Sequence, residues 1–243
     1  MTPEARIVKI RDTKKWNCEM ADKPQINETA YLALREQIVS GQLAPGTPLS
    51  ERAICEELQV SRTPLREAIK MLAREGLVEI SATRRAKVAS VSLDEAANML
   101  TLLAALEGLS GEQACQKVSA TDIAQLEALQ AAMRVSHQQG DLPAYFELNQ
   151  KIHLEILRIA DNKVLAEMFG NLNARLRHVR RRLNPTPGRW QQAVDEHEQM
   201  LVHLKKGDGK KLRALMEDHL RNKTDVLLAT MLEHGIVKVQ RTG

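Results

Sequence analysis

The spacing of apolar side chains divides the chain into a short mixed segment and a long helical one. Tyr31, Leu32, Leu34, Ile38 and Val39 recur at helical spacing, which predicts a helix from Glu28 to Ser40, stopped by Gly41 before the Pro45-Gly46 turn. Ser50 is placed to cap a second short helix carrying Ala53, Ile54 and Leu58. Ser61 is placed to cap a third, running from Arg62 to Glu75, with Pro64 in its first turn and Gly76 at its end. Leu77–Ile80 and Ala86–Val91 then read as two strands around a polar tip from Ser81 to Arg85. Two short helices with a tight break and a two-stranded ribbon make a winged helix-turn-helix.

From Ser92 onward the pattern is helical throughout. Ser92 and Glu95 have the spacing of a capping box, and breaks fall at Gly140-Asp141, Asp161-Asn162, Pro185–Gly188 and Gly207–Gly209, for six or seven helices. The expected architecture is mainly α. Residues 1–27 form a tail with an isolated Trp16, 28–91 the winged helix-turn-helix, 92–232 an all-helical bundle for effector binding and dimerisation, and 233–243 a C-terminal tail. Room for two modest domains is what 243 residues provide.

Aromatic residues are only 2% of the chain, so the core must be built from aliphatic side chains, which favours helices. The net charge of +4 is compatible with a nucleic-acid partner without arguing strongly for one. Cys18, Cys55 and Cys115 are far apart, so neither a disulfide framework nor a thiolate zinc site is indicated. No apolar run reaches the length of a membrane span and no signal-peptide apolar region opens the chain, so no membrane partner and a cytoplasmic location are expected.

The third helix carries the chemistry of base reading. Arg62 and Arg66 stand one turn apart at its start, and the planar fork of arginine can bond guanine O6 and N7 together. Ser61 and Thr63 can bond phosphates, Arg52 can reach the backbone or a base edge, and Thr83, Arg84 and Arg85 at the wing tip suit the minor groove or phosphates. Each arginine taken alone reads more readily as a solvated charge paired with Glu51 or Glu67; the agreement of helix-turn-helix, leading-edge arginines and basic wing favours DNA. The run from Gly41 to Ala53, Val60-Ser-Arg-Thr-Pro-Leu-Arg-Glu-Ala-Ile and Leu72-Ala-Arg-Glu-Gly-Leu-Val closely resembles the GntR family of bacterial regulators. The resemblance implies DNA contacts at Arg52, Arg62 and Arg66. It departs at the wing, where the family usually has Gly before the second strand and this chain has Arg84-Arg85-Ala86.

Three later helices each turn an imidazole toward the core. His153 follows Asn149 by one turn beside Tyr145, Leu148, Ile152 and Ile156; His197 interrupts Trp190, Val194, Leu201 and Leu204; His219 interrupts Leu212, Leu215 and Val226. A buried histidine alone is ordinarily a core residue bonded to a carbonyl, but three with an adjacent amide oxygen suit one shared divalent metal, such as zinc or nickel. His137, His178, His203 and His234 lack this placement and read as surface residues. Residues 92–230 also resemble the FCD domain of the FadR branch of GntR regulators, through Ala105-Leu-Glu-Gly, Asn149-x-x-x-His153, Glu196-His197, Gly207-Asp208 and His219-Leu220. That resemblance implies a metal held by an Asp and three His, matching Asn149, His153, His197 and His219, which helps to bind a small organic acid. The usual Asp is Asn149 here, and Leu103 stands where the family commonly has an Arg.

Arg175, Arg177, Arg180, Arg181 and Arg182 lie opposite the stripe Leu165, Met168, Leu172, Leu176, Val179 and Leu183. They read as a solvated face, of which Arg175 and Arg177 are candidates to turn inward and bind the effector. The expected function is a homodimeric, ligand-responsive repressor of an operator. Its rivals are a sequence-independent architectural DNA binder and a metal-dependent hydrolase. Against the hydrolase, the helical half has no HExxH and no Glu-x-x-His pair.

Overall fold

A computed structural model describes residues 26–180 and 187–233. The first unit runs α1 (Ile26–Val39), α2 (Glu51–Leu58), α3 (Arg62–Arg74), β1 (Val78–Ile80) and β2 (Ala86–Val88). Ser50 caps α2 by accepting from the Ala53 amide, and Gln59 ends it in the left-handed conformation. β1 and β2 pair antiparallel, with Val78 opposite Val88 and Ile80 opposite Ala86. The segment before α2 adds to this ribbon, the Leu49 amide bonding Ala86 O and the Val88 amide bonding Thr47 O. Leu34, Ile38, Ile54, Leu65, Ile69, Leu72, Val78 and Val88 fill one core.

The second unit comprises α4 (Leu93–Ala114), α5 (Ala120–Gln138), α6 (Leu142–Ala160), α7 (Lys163–Arg180), α8 (Pro187–Lys206) and α9 (Gly209–Glu233). The break before α5 carries no Gly or Pro and escaped the sequence reading. A reciprocal capping box between Ser119 and Asp122 makes it. The box expected at Ser92 is only half formed: Ser92 accepts from the Glu95 amide, while the Glu95 carboxylate pairs with Arg175. Met168, expected to face inward, is exposed, and Phe169 takes the buried place beside Leu165 and Leu176.

α4 lies close along α9, and two glycines permit the approach. A Cβ on Gly111 would meet Met216 Sδ and, at 2.9 Å, Leu212 Cγ. Gly111→Ala is therefore expected to destabilise the protein by about 1–3 kcal/mol through overpacking, measurable as a lower denaturant midpoint with an unchanged slope. α7 reaches back to the first unit. Ala174 belongs to that unit's core, and the Arg175 guanidinium lies against Gly76, whose Cβ position is 3.1 Å from Arg175 Nε.

Candidate nucleic-acid interface and histidine centre

α3 presents its first turn outward. Ser61, Arg62, Thr63 and Arg66 are exposed, while Leu65, Ala68, Ile69 and Leu72 are buried beneath them. Ser61 occupies the N-cap position but makes no capping hydrogen bond, so its hydroxyl stays available. Arg52 is exposed on α2. Arg66 is not idle: both oxygens of Glu51 accept from its Nε at 3.0 Å, which fixes the guanidinium across the face of α2 and α3. At the wing, Thr83, Arg84 and Arg85 are exposed, with Thr83 Oγ1 3.0 Å from Ser81 Oγ. Arg84 adopts φ of 61°, the left-handed region that glycine enters freely.

In the second unit α6, α8 and α9 bring His153, His197 and His219 together at 2%, 1% and 0% exposure. One nitrogen from each lies within 4.8 Å of the other two. Burial, with the neighbouring imidazoles, Lys223 and Arg189, holds His197 and His219 well below the usual histidine range, so both are neutral at pH 7. His219 Nδ1 is 2.5 Å from Glu196 Oε2, and His153 Nδ1 is 3.1 Å from Glu107 Oε2. The Glu196 hydrogen bond orients the His219 ring, and Glu107 places a carboxylate beside His153 Nδ1. Both nitrogens of His153, Nε2 of His219 and Nδ1 of His197 have no hydrogen-bond partner among the described residues. His197 Nε2 sits 3.0 Å from Asn149 Oδ1.

Three buried imidazoles with unsatisfied nitrogens, two of them beside carboxylates, suit a divalent cation of the zinc or nickel kind. Asn149 stands at the fourth side, but its Oδ1 also accepts from Lys223 Nζ at 2.9 Å. Sequence reasoning missed Glu107, Glu196, Arg189 and Lys223 as members of the centre. Glu107 had a visible signal, a carboxylate inside the apolar run from Leu102 to Leu109, and it is 2% exposed.

Arg175 and Arg177 are not brought to the histidines. Arg175 pairs with Glu95 at the junction with the first unit, and Arg177 Nη2 is 3.8 Å from Glu147 of α6. Acidic partners on neighbouring helices hold both, so the candidate inward turn toward the histidines is not the arrangement found, and neither side chain is fully buried. Leu103 is wholly buried in the aliphatic core. His137, expected at the surface, is half-buried with its ring edge-on to Trp190 at 4.8 Å. The side chains of His178, Val179 and Arg180, and residues Trp16, Arg181, Arg182, Leu183 and His234, lie outside the described residues.

An exposed helix-turn-helix with a basic wing, joined to a helical bundle around a buried histidine centre, defines a two-domain DNA-binding regulator. Residues 26–88 match the bacterial regulatory proteins of the gntR family, and residues 98–222 match the FCD domain; the chain belongs to the GntR family and is a transcriptional regulator rather than an enzyme. It is 30% identical over 196 residues to the HTH-type transcriptional repressor RspR of Escherichia coli K12, covering 81% of this chain and 86% of that one. It is 28% identical to the gluconate operon transcriptional repressor of Bacillus subtilis 168, over 79% of each. The solved structure of E. coli McbR/YncC superposes with a TM-score of 0.72 at 21% identity, covering 84% of this chain and 97% of that one, which bears on the fold alone. No described helix is long and apolar enough to cross a membrane.

Proposed function

We propose that this regulator is a cytoplasmic repressor whose operator affinity is set by a small organic acid bound at a divalent metal. The convergence of three buried imidazoles with unpartnered nitrogens is the observation that carries this reading. His153, His197 and His219 would hold the ion, with Asn149 beside them. When bound, the ion supplies a Lewis-acidic position for a carboxylate. The positive charge expected from Arg175 and Arg177 comes instead from Lys223, at Asn149, and from Arg189, which spans Glu196 and His219 O.

In this reading residues 28–91 engage DNA and residues 92–232 sense the effector. Arg62 and Arg66 read bases; Ser61, Thr63, Arg52 and the wing residues Thr83, Arg84 and Arg85 position the duplex. Two copies would present two recognition helices about 34 Å apart. α4 and α7 pack on each other, and each carries exposed apolar side chains, Leu102 on the first and Val164 and Met168 on the second, which a second copy would cover. α7 also joins the two units, with Ala174 in the first unit's core and the Arg175 guanidinium against Gly76, which would give the effector a route to the DNA-reading unit.

The test combines metal analysis of the purified protein with selection of duplexes from a random pool across a salt series. A bound divalent ion, and a selected sequence retained at moderate salt, are the expected results. Metal-free protein with no zinc uptake rejects the metal, and equal retention of random duplexes favours the architectural reading.

A further inference from the structure

Two turns away from the histidines, a second polar layer occupies the same pair of helices. On α6 Tyr145 precedes His153 by eight residues, and on α8 Trp190 precedes His197 by seven, so each aromatic shares a face with its histidine. The pairs also match across the helices: the Tyr145 and Trp190 rings meet edge-on at 5.3 Å, and those of His153 and His197 at 5.0 Å. The helices thus run in the same direction with two layers stacked roughly 11 Å apart along their axes. Between the layers α6 contributes Asn149 and α8 contributes Val194, and the two backbones have little direct contact.

The upper layer holds two buried donors that the protein leaves unsatisfied. Tyr145 is 6% exposed, and neither its Oη nor Trp190 Nε1 has a hydrogen-bond partner among the described residues. Burial pushes the Tyr145 phenol well above its usual range, so it is a protonated donor. The adjacent charge is already balanced, since Arg189 bonds Glu196 through Nη1 at 3.2 Å and Nη2 at 3.0 Å. Two neutral donors beside a compensated ion pair favour a neutral oxygen, a hydroxyl or carbonyl, over a second carboxylate.

We propose that Tyr145 and Trp190 form a second subsite for the effector, which takes a hydroxyl or carbonyl oxygen at the far end of an acid whose carboxylate is held at the histidine centre. The inference rests on the carboxylate reading above and adds the remote group. A span of roughly 11 Å between layers suits an acid of about five or six carbons, whereas a two-carbon acid reaches one layer only. The unpaired donors make the site selective, because an analogue without the oxygen leaves both of them buried and unsatisfied.

The experiment is calorimetric titration of the zinc-loaded protein with 6-hydroxyhexanoate, hexanoate and adipate. The hydroxy acid is expected to bind at least about tenfold more tightly than hexanoate and more tightly than adipate. Tyr145→Phe should bring the ratio of hydroxy acid to hexanoate to within about threefold while leaving the hexanoate Kd within about twofold. Trp190→Phe should lower the same ratio. If hexanoate matches the hydroxy acid, or if Tyr145→Phe preserves the preference, the subsite is overturned while the carboxylate anchor stands. If none of the three acids binds, the anchor itself fails and the subsite with it.

Discussion

Replacing Arg62 and Arg66 with alanine is expected to remove operator-specific binding while leaving the fold unchanged. Both side chains are exposed on the outer turn of α3, and neither is part of the core formed by Leu65, Ile69 and Leu72. Each bidentate contact to guanine, if lost, costs roughly tenfold to a hundredfold in affinity, and a double variant falls toward the non-specific level. Arg66 has a complication that sharpens the test. In the free protein it is held by Glu51, with Nη2 3.0 Å from Oε2, and that pair must open or rotate for the guanidinium to reach a base. Glu51→Gln should therefore raise operator affinity modestly, in the opposite direction to Arg66→Ala. Fluorescence anisotropy on a selected operator, repeated on a scrambled duplex, separates the two contributions. Arg62→Ala should lower specific binding far more than non-specific binding. Thr63→Val, aimed at a phosphate, should lower both alike. Equal loss on both duplexes for Arg62→Ala would remove α3 from the role of base reader.

The sequence announced the DNA-binding unit more fully than the helical one, for a physical reason. Helix starts and stops in residues 26–88 are marked by local chemistry that acts within four residues: Ser50 capping α2, Pro64 in the first turn of α3, Gly76 at φ of 71° after it. The three histidines were legible because each interrupts an apolar stripe on its own helix. What could not be read was which charged groups from other helices face them. Glu107 comes from α4, Arg189 from the start of α8 and Lys223 from a turn beyond His219 on α9. Their roles depend on tertiary distance. Arg175 and Arg177 show the converse: helical periodicity placed both on one helix, but Glu95 and Glu147, on other helices, decide where they point.

The histidine centre makes a crossed prediction about stability. Without an ion, four ring nitrogens of the three buried histidines make no hydrogen bond, each at a cost of roughly 1–3 kcal/mol. His197→Leu removes one of them and restores the apolar character of the α8 stripe between Val194 and Leu201. It leaves Asn149 Oδ1 still bonded to Lys223 Nζ, and it keeps His153 on Glu107 and His219 on Glu196. The metal-free variant should thus be as stable as the metal-free parent, or more so. With zinc the order should reverse. A ligand present at a hundred times its Kd stabilises the native state by about 2.7 kcal/mol, and a two-imidazole remnant forfeits most of that gain. Thermal unfolding of both proteins, with chelator and with zinc, reads all four values. The expected pattern is a zinc-dependent rise in Tm for the parent, little or none for His197→Leu, and crossing stabilities. A chelator that leaves the parent's Tm unchanged after metal loading, or zinc that stabilises the variant as much as the parent, would show that the imidazoles are core residues braced by Glu107, Glu196 and Asn149 and hold no ion.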